Sequence, residues 1–294
     1  MRLRRGTGAR SPGCLWLPCP SYRGDMLRDF IERHPRLFVL TGAGISTDSG
    51  IPDYRDANGD WKRAQPVMIQ AFMSDIQTRR RYWARSLVGW RRFGRALPNG
   101  AHRAVARLGE LGRTEVLVTQ NVDGLHQSAG STDVIDLHGR MDRVRCVGCE
   151  RLFDRDEMQR RLLDLNPFFE KLDASVAPDG DADLEAVDFS TFLIPACTSC
   201  GGILKPDVVF FGESVPRERV TAAMEGVARS DAVLVIGSSL MVYSGYRFAQ
   251  AASKAGKPIA AVNLGRTRAD ELLALKVNQP CVSALAFLLD VPAG

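Results

Sequence analysis

Leu37-Phe38-Val39-Leu40-Thr41-Gly42-Ala43-Gly44-Ile45-Ser46 runs from four consecutive apolar residues straight into a glycine-rich turn. A short apolar run ended by a polar turn predicts a strand buried on both faces, the kind found in parallel sheets. Three further segments share the design. Val116-Leu117-Val118-Thr119 leads into Gln120-Asn121-Val122-Asp123, Ala232-Val233-Leu234-Val235-Ile236 into Gly237-Ser238-Ser239, and Ile259-Ala260-Ala261-Val262 into Asn263-Leu264-Gly265. Helical segments lie between them. The expectation is an α/β chain built on a Rossmann-like open parallel sheet, with its ligand at the carboxyl ends of the strands.

The glycines of Gly42-Ala43-Gly44 allow the backbone to approach a pyrophosphate, with N–H groups free to bind it. A dehydrogenase fingerprint would add a third glycine and an acidic residue about 20 positions on. The chain continues instead as Asp48-Ser49-Gly50-Ile51-Pro52-Asp53-Tyr54-Arg55, a long polar loop suited to folding over a bound ligand.

Two segments interrupt the strand pattern. Residues 61–100 read as helices and include the basic run Arg79-Arg80-Arg81-Tyr82-Trp83-Ala84-Arg85, expected to form a solvated or partner-facing surface. Residues 141–204 hold Cys146-Val147-Gly148-Cys149 and Cys197-Thr198-Ser199-Cys200. Each Cys-x-x-Cys turn presents two thiolates, and four thiolates close a tetrahedron around Zn²⁺ with no position open for chemistry, so one structural zinc is expected. Positions 150–190 carry 12 acidic against 5 basic residues, which reads as a surface loop with some helix between the knuckles. The expected organisation is a Rossmann-like part at 26–60, 101–140 and 205–294, interrupted by a smaller helical and zinc-ribbon module at 61–100 and 141–204.

The net charge of +5 is concentrated at the start of the chain, where five arginines face Asp25 alone over residues 1–25. The remainder is close to neutral, so a general nucleic-acid-binding surface is not indicated. No apolar run reaches the ~18 residues of a membrane span. The Arg-rich start resembles a mitochondrial transit peptide, but its glycines and prolines oppose an amphipathic helix. Residues 1–25 are therefore expected to be a disordered tail, read from a start codon placed too early, with Met26 opening a helix and Cys14 and Cys19 left without a role. The 33 arginines against 6 lysines fit a GC-rich genome. Metal-type cysteine spacing with no secretory segment points to a reducing compartment, the bacterial cytoplasm, with the mitochondrial matrix as the alternative.

Asn121 and Asp123 stand two positions apart after a strand and face one side if extended. His138, one of four histidines, lies eight residues before the first knuckle thiolate, where a cleft should form between sheet and zinc module.

Together these residues resemble the sirtuins, NAD-dependent protein-lysine deacylases. The likeness runs from about Arg36 to Cys281. It includes Gly42 to Ser46, Gly50 to Arg55, Thr119 to Asp123, Leu137-His138-Gly139, the four cysteines, Lys205 to Glu213 and Gly237-Ser238-Ser239. Asp53-Tyr54-Arg55, Tyr82-Trp83-Ala84-Arg85, Ala177-Pro178-Asp179-Gly180-Asp181 and Val242-Tyr243-Ser244-Gly245-Tyr246-Arg247-Phe248 look like the class II branch.

The resemblance implies that NAD is consumed as a co-substrate. The acyl-lysine oxygen attacks C1′ of the nicotinamide ribose, nicotinamide leaves, and an O-alkylamidate forms. His138 would act as general base on the ribose hydroxyls, its ordinary pKa of about 6.5 lying near working pH. Asn121 would orient the ribose and a water, and Asp123 would accept a hydrogen bond from the nicotinamide carboxamide. The other positions implied to contact NAD are Gly42, Ala43, Gly44, Asp53, Tyr54, Arg55, Gln120, Val122, Gly237, Ser238, Ser239, Asn263, Leu264, Gly265 and the backbone near Cys281. The acyl-lysine protein or peptide would lie as an extended strand between Phe211-Gly212-Glu213 and Met241-Val242-Tyr243, with Val209 and Phe210 shaping the tunnel for the lysine stem. Tyr82 and Arg85, at i and i+3 on one helix face, could read an acidic acyl group. ADP-ribosyl transfer to protein is the alternative activity. A zinc-ribbon binding module without catalysis would be expected to lack Asn121, Asp123 or His138, and all three are present.

Overall fold

Nine strands and nine α-helices are found among the residues described by the computed structural model, which are 20–62, 66–172, 179–182, 184 and 187–290. Cys14, Cys19, Ala177 and Pro178 lie outside them. The strands are β1 Leu37–Thr41, β2 Thr114–Thr119, β3 Val134–Asp136, β4 Gly139–Cys146, β5 Leu152–Asp154, β6 Leu204–Val208, β7 Ala232–Ile236, β8 Ile259–Val262 and β9 Leu275–Val277. The helices are α1 Pro20–Arg33, α2 Ile69–Ser74, α3 Ile76–Phe93, α4 Gly100–Glu110, α5 Leu125–Ser128, α6 Arg155–Leu165, α7 Arg217–Arg229, α8 Tyr243–Lys254 and α9 Cys281–Leu285.

Six strands form one parallel sheet in the order β3-β2-β1-β7-β8-β9. Chain order reverses between β1 and β7, the switch point where a doubly wound sheet leaves a crevice for its ligand. β1 shows why its run is apolar without alternation. Leu37 and Val39 pack into one core with α1, α4 and α9, while Phe38 and Leu40 pack into the opposite core with α7 and α8. On the second face, α7 approaches closely because it carries Gly226, where a Cβ would stand 2.3 Å from Val116 Cγ1. Register then sets the site: Thr41 pairs with Thr119 on one side and Ile236 on the other. The three strands end level, so the turns at Gly42, Gln120 and Gly237 emerge side by side.

A second sheet, β5-β4-β6, is antiparallel and packs with α2, α3 and α6 around a third core. The expected limits near 140 and 205 fall inside β4 and β6. Trp83, fully buried, anchors α3 to this sheet through Nε1, which donates to the Leu204 carbonyl at 3.2 Å.

Three expectations change. Helix α1 begins at Pro20, ahead of Met26, so the last residues of the expected tail are helical. Proline is tolerated in a helix's first turn, where its missing N–H would have had no partner. The basic run on α3 is only in part a solvated face: Arg81 is exposed, while its neighbours turn back onto the chain. Arg79 donates to the carbonyls of Phe72 and Met73, Arg80 to Ser190, Arg85 to Ala182, and Arg91 to Glu170 and Leu172. These guanidiniums hold the segments that flank the helix. The stretch between the knuckles is not only a surface loop either: Phe169, Ala182 and Phe192 are buried in the third core. Its acidic count hid these few apolar anchors.

Candidate active site

A cavity of about 570 Å³ opens at the carboxyl ends of β1, β2, β7 and β8, between the two sheets. Its size falls in the range of small-molecule sites, roughly 300–1,000 Å³. The glycine turn of β1 and the turn after β7 are pressed together. Gly44 N donates to Gly237 O at 2.8 Å, and a Cβ on Gly42 would meet Ser238 Cβ at 2.7 Å. Gly237 has φ +61, and a Cβ there would lie 2.3 Å from Ile45 N, so glycine is needed for both conformation and space. This corrects the expectation of free N–H groups throughout the turn. The amides of Gly42, Gly44, Ile45 and Ser46 donate to Ile236, Gly237, Gly42 and Ala43. The glycines serve first to pack one turn against the other.

Behind that turn Ser46 organises the polar wall. Its hydroxyl donates to Asp123 Oδ2 at 2.7 Å and accepts from Asn121 Nδ2 at 3.0 Å. Asn121 also reaches Gly42 O, and Asp123 Oδ1 accepts from Leu125 N at 3.0 Å. Burial pushes the Asp123 carboxyl above its ordinary value, and the bonds from Leu125 and Ser46 hold it back. Below lie two buried histidines, His102 and His126, with ring centroids 5.0 Å apart. His102 completes the cap of α4 by accepting from Asn99 N, and His126 bonds Thr41 Oγ1 at 2.8 Å. Burial pushes the two rings down to about 4 and about 3, so both are neutral.

His138 lies at the end of the cavity nearest β4. Its Nδ1 is 2.9 Å from Gln120 O and its Nε2 is 2.8 Å from Ser244 Oγ. A carbonyl only accepts, so the proton sits on Nδ1 and Nε2 keeps its lone pair. Burial pushes the imidazole down to about 4. The group is neutral at working pH, as a general base must be.

Of the residues singled out from sequence, Gly42, Ala43, Gly44, Asp53, Tyr54, Arg55, Gln120, Asn121, Val122, Asp123, His138, Val209, Phe210, Gly212, Glu213, Gly237, Ser238, Ser239, Val242, Asn263 and Leu264 line one cavity. Gly265 does not; it packs against the loop at Ala57, whose carbonyl accepts from Arg266 N at 2.8 Å. Cys281 starts α9 with its thiol 3.7 Å from Gly44 O, and burial pushes it up to about 12. Tyr82 lines the cavity, whereas Arg85 does not, its Nε donating to Ala182 O at 2.7 Å. On the expected substrate edge, Phe211 O accepts from Ile69 N at 2.9 Å, so that acceptor is taken by the chain itself. Glu213 braces the same turn, accepting from Phe210 N and Lys205 Nζ.

Ser46, Trp61, Ser244 and Arg247 also line the cavity and were not assigned from sequence. Ser46 and Ser244 lie inside quoted motifs, which could have drawn notice to them. Trp61 had no local signal; its place comes from stacking with Arg55 at 4.0 Å and from edge contacts with Tyr54 and Phe211.

Away from the cavity, Cys146, Cys149, Cys197 and Cys200 bring four sulfur atoms within 4.8 Å of one another. Cys146 and Cys200 are 3.4 Å apart, and Cys149 and Cys197 3.7 Å. A tetrahedral site with Zn–S bonds near 2.3 Å has edges of about 3.8 Å, so the cluster is compatible with one structural zinc. Gly202 makes room for it, since a Cβ there would stand 3.0 Å from Cys146 Sγ.

Residues 42–244 match the Sir2 family, and the chain belongs to it. It is 64% identical over 269 residues to an NAD-dependent protein deacetylase of Xanthomonas campestris pv. campestris, covering 92% of each chain. It is 66% identical over 263 residues to NAD-dependent protein deacetylase 2 of Bradyrhizobium diazoefficiens, covering 90% of this chain and 96% of that one. Among solved structures, a Sir2–p53 peptide–NAD⁺ complex superposes with TM-score 0.70 at 31% identity, over 90% of this chain and 96% of the other. A Sir2 histidine variant with deacetylated p53 peptide and 3′-O-acetyl ADP ribose superposes with TM-score 0.72 at 31% identity, over 91% and 98%.

Proposed function

We propose that this protein is an NAD-dependent protein-lysine deacetylase that transfers the acyl group to ADP-ribose and releases nicotinamide. The observation that carries the reading is the neutral His138 in one cavity with Asn121, Asp123 and the paired glycine turns. Bound NAD supplies an electrophilic ribose carbon and a nicotinamide leaving group. Ser238, Ser239 and Asn263 offer polar groups for its phosphates and riboses. Asn121 and Asp123, fixed by Ser46, orient the nicotinamide end. His138 Nε2 takes the proton of a ribose hydroxyl so that the oxygen can attack the acyl carbon. Val209 and Phe210 enclose the lysine stem, and the main chain near Gly212, Glu213 and Val242 holds the peptide. The relatives named as deacetylases, and the solved complex holding deacetylated peptide with 3′-O-acetyl ADP ribose, favour acyl transfer over ADP-ribosyl transfer to protein.

The quoted motifs support the class II branch, and the strand pattern supports a division into a Rossmann-like part and a smaller module, with the expected limits near 140 and 205 moved to 139 and 208 so that β4 and β6 fall wholly in the module. Among the described residues no helix is long and apolar enough to cross a membrane. The bacterial origin of the named relatives supports work in a bacterial cytoplasm on protein substrates. The decisive experiment incubates the protein with NAD and an acetyl-lysine peptide and weighs the products. O-acetyl-ADP-ribose, nicotinamide and deacetylated peptide in equal amounts are expected. ADP-ribosylated protein with the acetyl group retained would overturn the reading.

A further inference from the structure

The partner of the His138 base is a serine 106 residues further along the chain. Ser244 is the second residue of α8 and sits on the cavity wall, its Oγ 2.8 Å from His138 Nε2. Because Nδ1 must donate to the Gln120 carbonyl, the hydrogen between Nε2 and Ser244 comes from the serine hydroxyl. The next residue, Gly245, explains how α8 comes so near. A Cβ there would lie 2.4 Å from Gln120 Oε1, so glycine lets this helix end rest on the residue that holds the other side of the ring without displacing its side-chain amide. Gln120 is itself fixed, donating through Nε2 to Ser238 Oγ at 2.7 Å.

We propose that Ser244 is a positioning residue for the base. Its hydroxyl and the Gln120 carbonyl grip His138 from opposite edges, hold the ring in the neutral Nδ1–H tautomer, and keep the Nε2 lone pair turned to the cavity until a substrate hydroxyl takes the serine's place. The inference rests on the deacetylase reading for its kinetic consequence. A hydroxyl donating to Nε2 bonds the neutral ring; to meet the charged ring it must turn and accept, beside two guanidiniums that oppose that charge, so the arrangement favours the neutral form. The charged groups acting on the ring are Arg219 of α7 and Arg247 of α8, both of which also disfavour a second positive charge. Asp53, Asp123 and Glu213 line the same cavity on its other walls.

The test is the pH profile of kcat/KM, which reports the free enzyme's base, for the wild type, Ser244→Ala and Ser244→Thr. Removing the donor should move the acid limb of Ser244→Ala upward by about 0.5–1 pH unit and lower kcat about tenfold or less. Ser244→Thr, which keeps a hydroxyl, should restore both. An unmoved limb in Ser244→Ala, or an equal shift in the threonine variant, would overturn the proposal. A second measurement needs neither variant nor turnover. Imidazole ¹⁵N spectra of the wild type should show His138 protonated on Nδ1 at neutral pH, and an Nε2–H tautomer would overturn it. Wild-type protein with no NAD-dependent deacylation would sink the functional reading while the spectra still decide the tautomer.

Discussion

The proposed role of His138 as base needs one lone pair, and its neighbours explain why that pair is available. The ring is neutral because burial disfavours its charge, and its proton is committed to Gln120. Replacing it with alanine removes the base without removing any backbone bond that holds the sheet. His138→Ala should lose about 10²–10⁴-fold in acetyl-lysine turnover, with circular dichroism and zinc content unchanged. Residual activity within a few-fold of wild type would sink its role as base. Arg85 calls for the opposite expectation. A role in reading acidic acyl groups would require its guanidinium in the cavity, yet its Nε is spent on the Ala182 carbonyl. Arg85→Met should therefore change turnover of dicarboxylic acyl-lysine and acetyl-lysine by the same factor. It should also destabilise the fold by about 1.5–3 kcal/mol, the range for a hydrogen bond to a charged group. A selective loss of dicarboxylic turnover would return Arg85 to the pocket.

The two knuckles meet through few protein contacts, Val147 N donating to Ile203 O at 2.9 Å and Arg151 to Ser199 Oγ at 2.6 Å. Each is a short turn closed by backbone bonds such as Glu150 N to Cys146 O and Gly201 N to Cys197 O, both at 2.9 Å. Little apolar surface joins them apart from the buried Cys146 and Cys197. A structural zinc held by Cys146, Cys149, Cys197 and Cys200 would add folding free energy, since it binds deprotonated thiolates only in the folded arrangement. One zinc per chain is expected by metal analysis of the purified protein. Cys197→Ala should lower both metal content and the thermal midpoint, and a variant that melts like wild type would defeat the assignment. The third core, with Trp83 at its centre, adjoins these knuckles, so loosening should reach α3 and the wall of the cavity that carries Tyr82.

Over the whole molecule, buried ionisable groups couple stability to pH. His102 and His126 are 0% and 1% exposed and titrate at about 4 and about 3 in the folded state, below the ordinary 6.5. Between these values and 6.5 the unfolded chain binds protons that the folded chain refuses. Stability from these groups is complete above 6.5 and is lost as pH falls toward 4 and 3. At pH 5 each contributes a loss of about 2 kcal/mol. Asp123 and Asp181, pushed upward by burial, act in the opposite sense. The histidine share is therefore read by difference. Between pH 7 and 5 the wild type should lose about 2 kcal/mol more denaturation free energy than His126→Gln, and equal losses would refute it.

What the residues encode locally was legible in the chain: four buried parallel strands, the turns that end them, the thiol spacing and the histidine between sheet and knuckles. Burial on two faces leaves an apolar run, a tight turn needs glycine, and a tetrahedral metal site needs paired cysteines; each is a property of neighbours in sequence. The short strands β3 and β9 and the antiparallel β5-β4-β6 sheet were not legible, because three-residue strands and mixed polar strands carry too little periodicity. Tertiary structure alone decided that the amides of Gly42 and Gly44 are taken, since their acceptors are Ile236 at the end of β7 and Gly237 just after it. It also turned Arg85 away from the cavity, set Trp61 over it, and placed Ser244 against His138. These choices pair groups as far apart in the chain as Gly42 and Ile236. No local pattern records such a pairing, because it is made by the packing of whole helices and sheets.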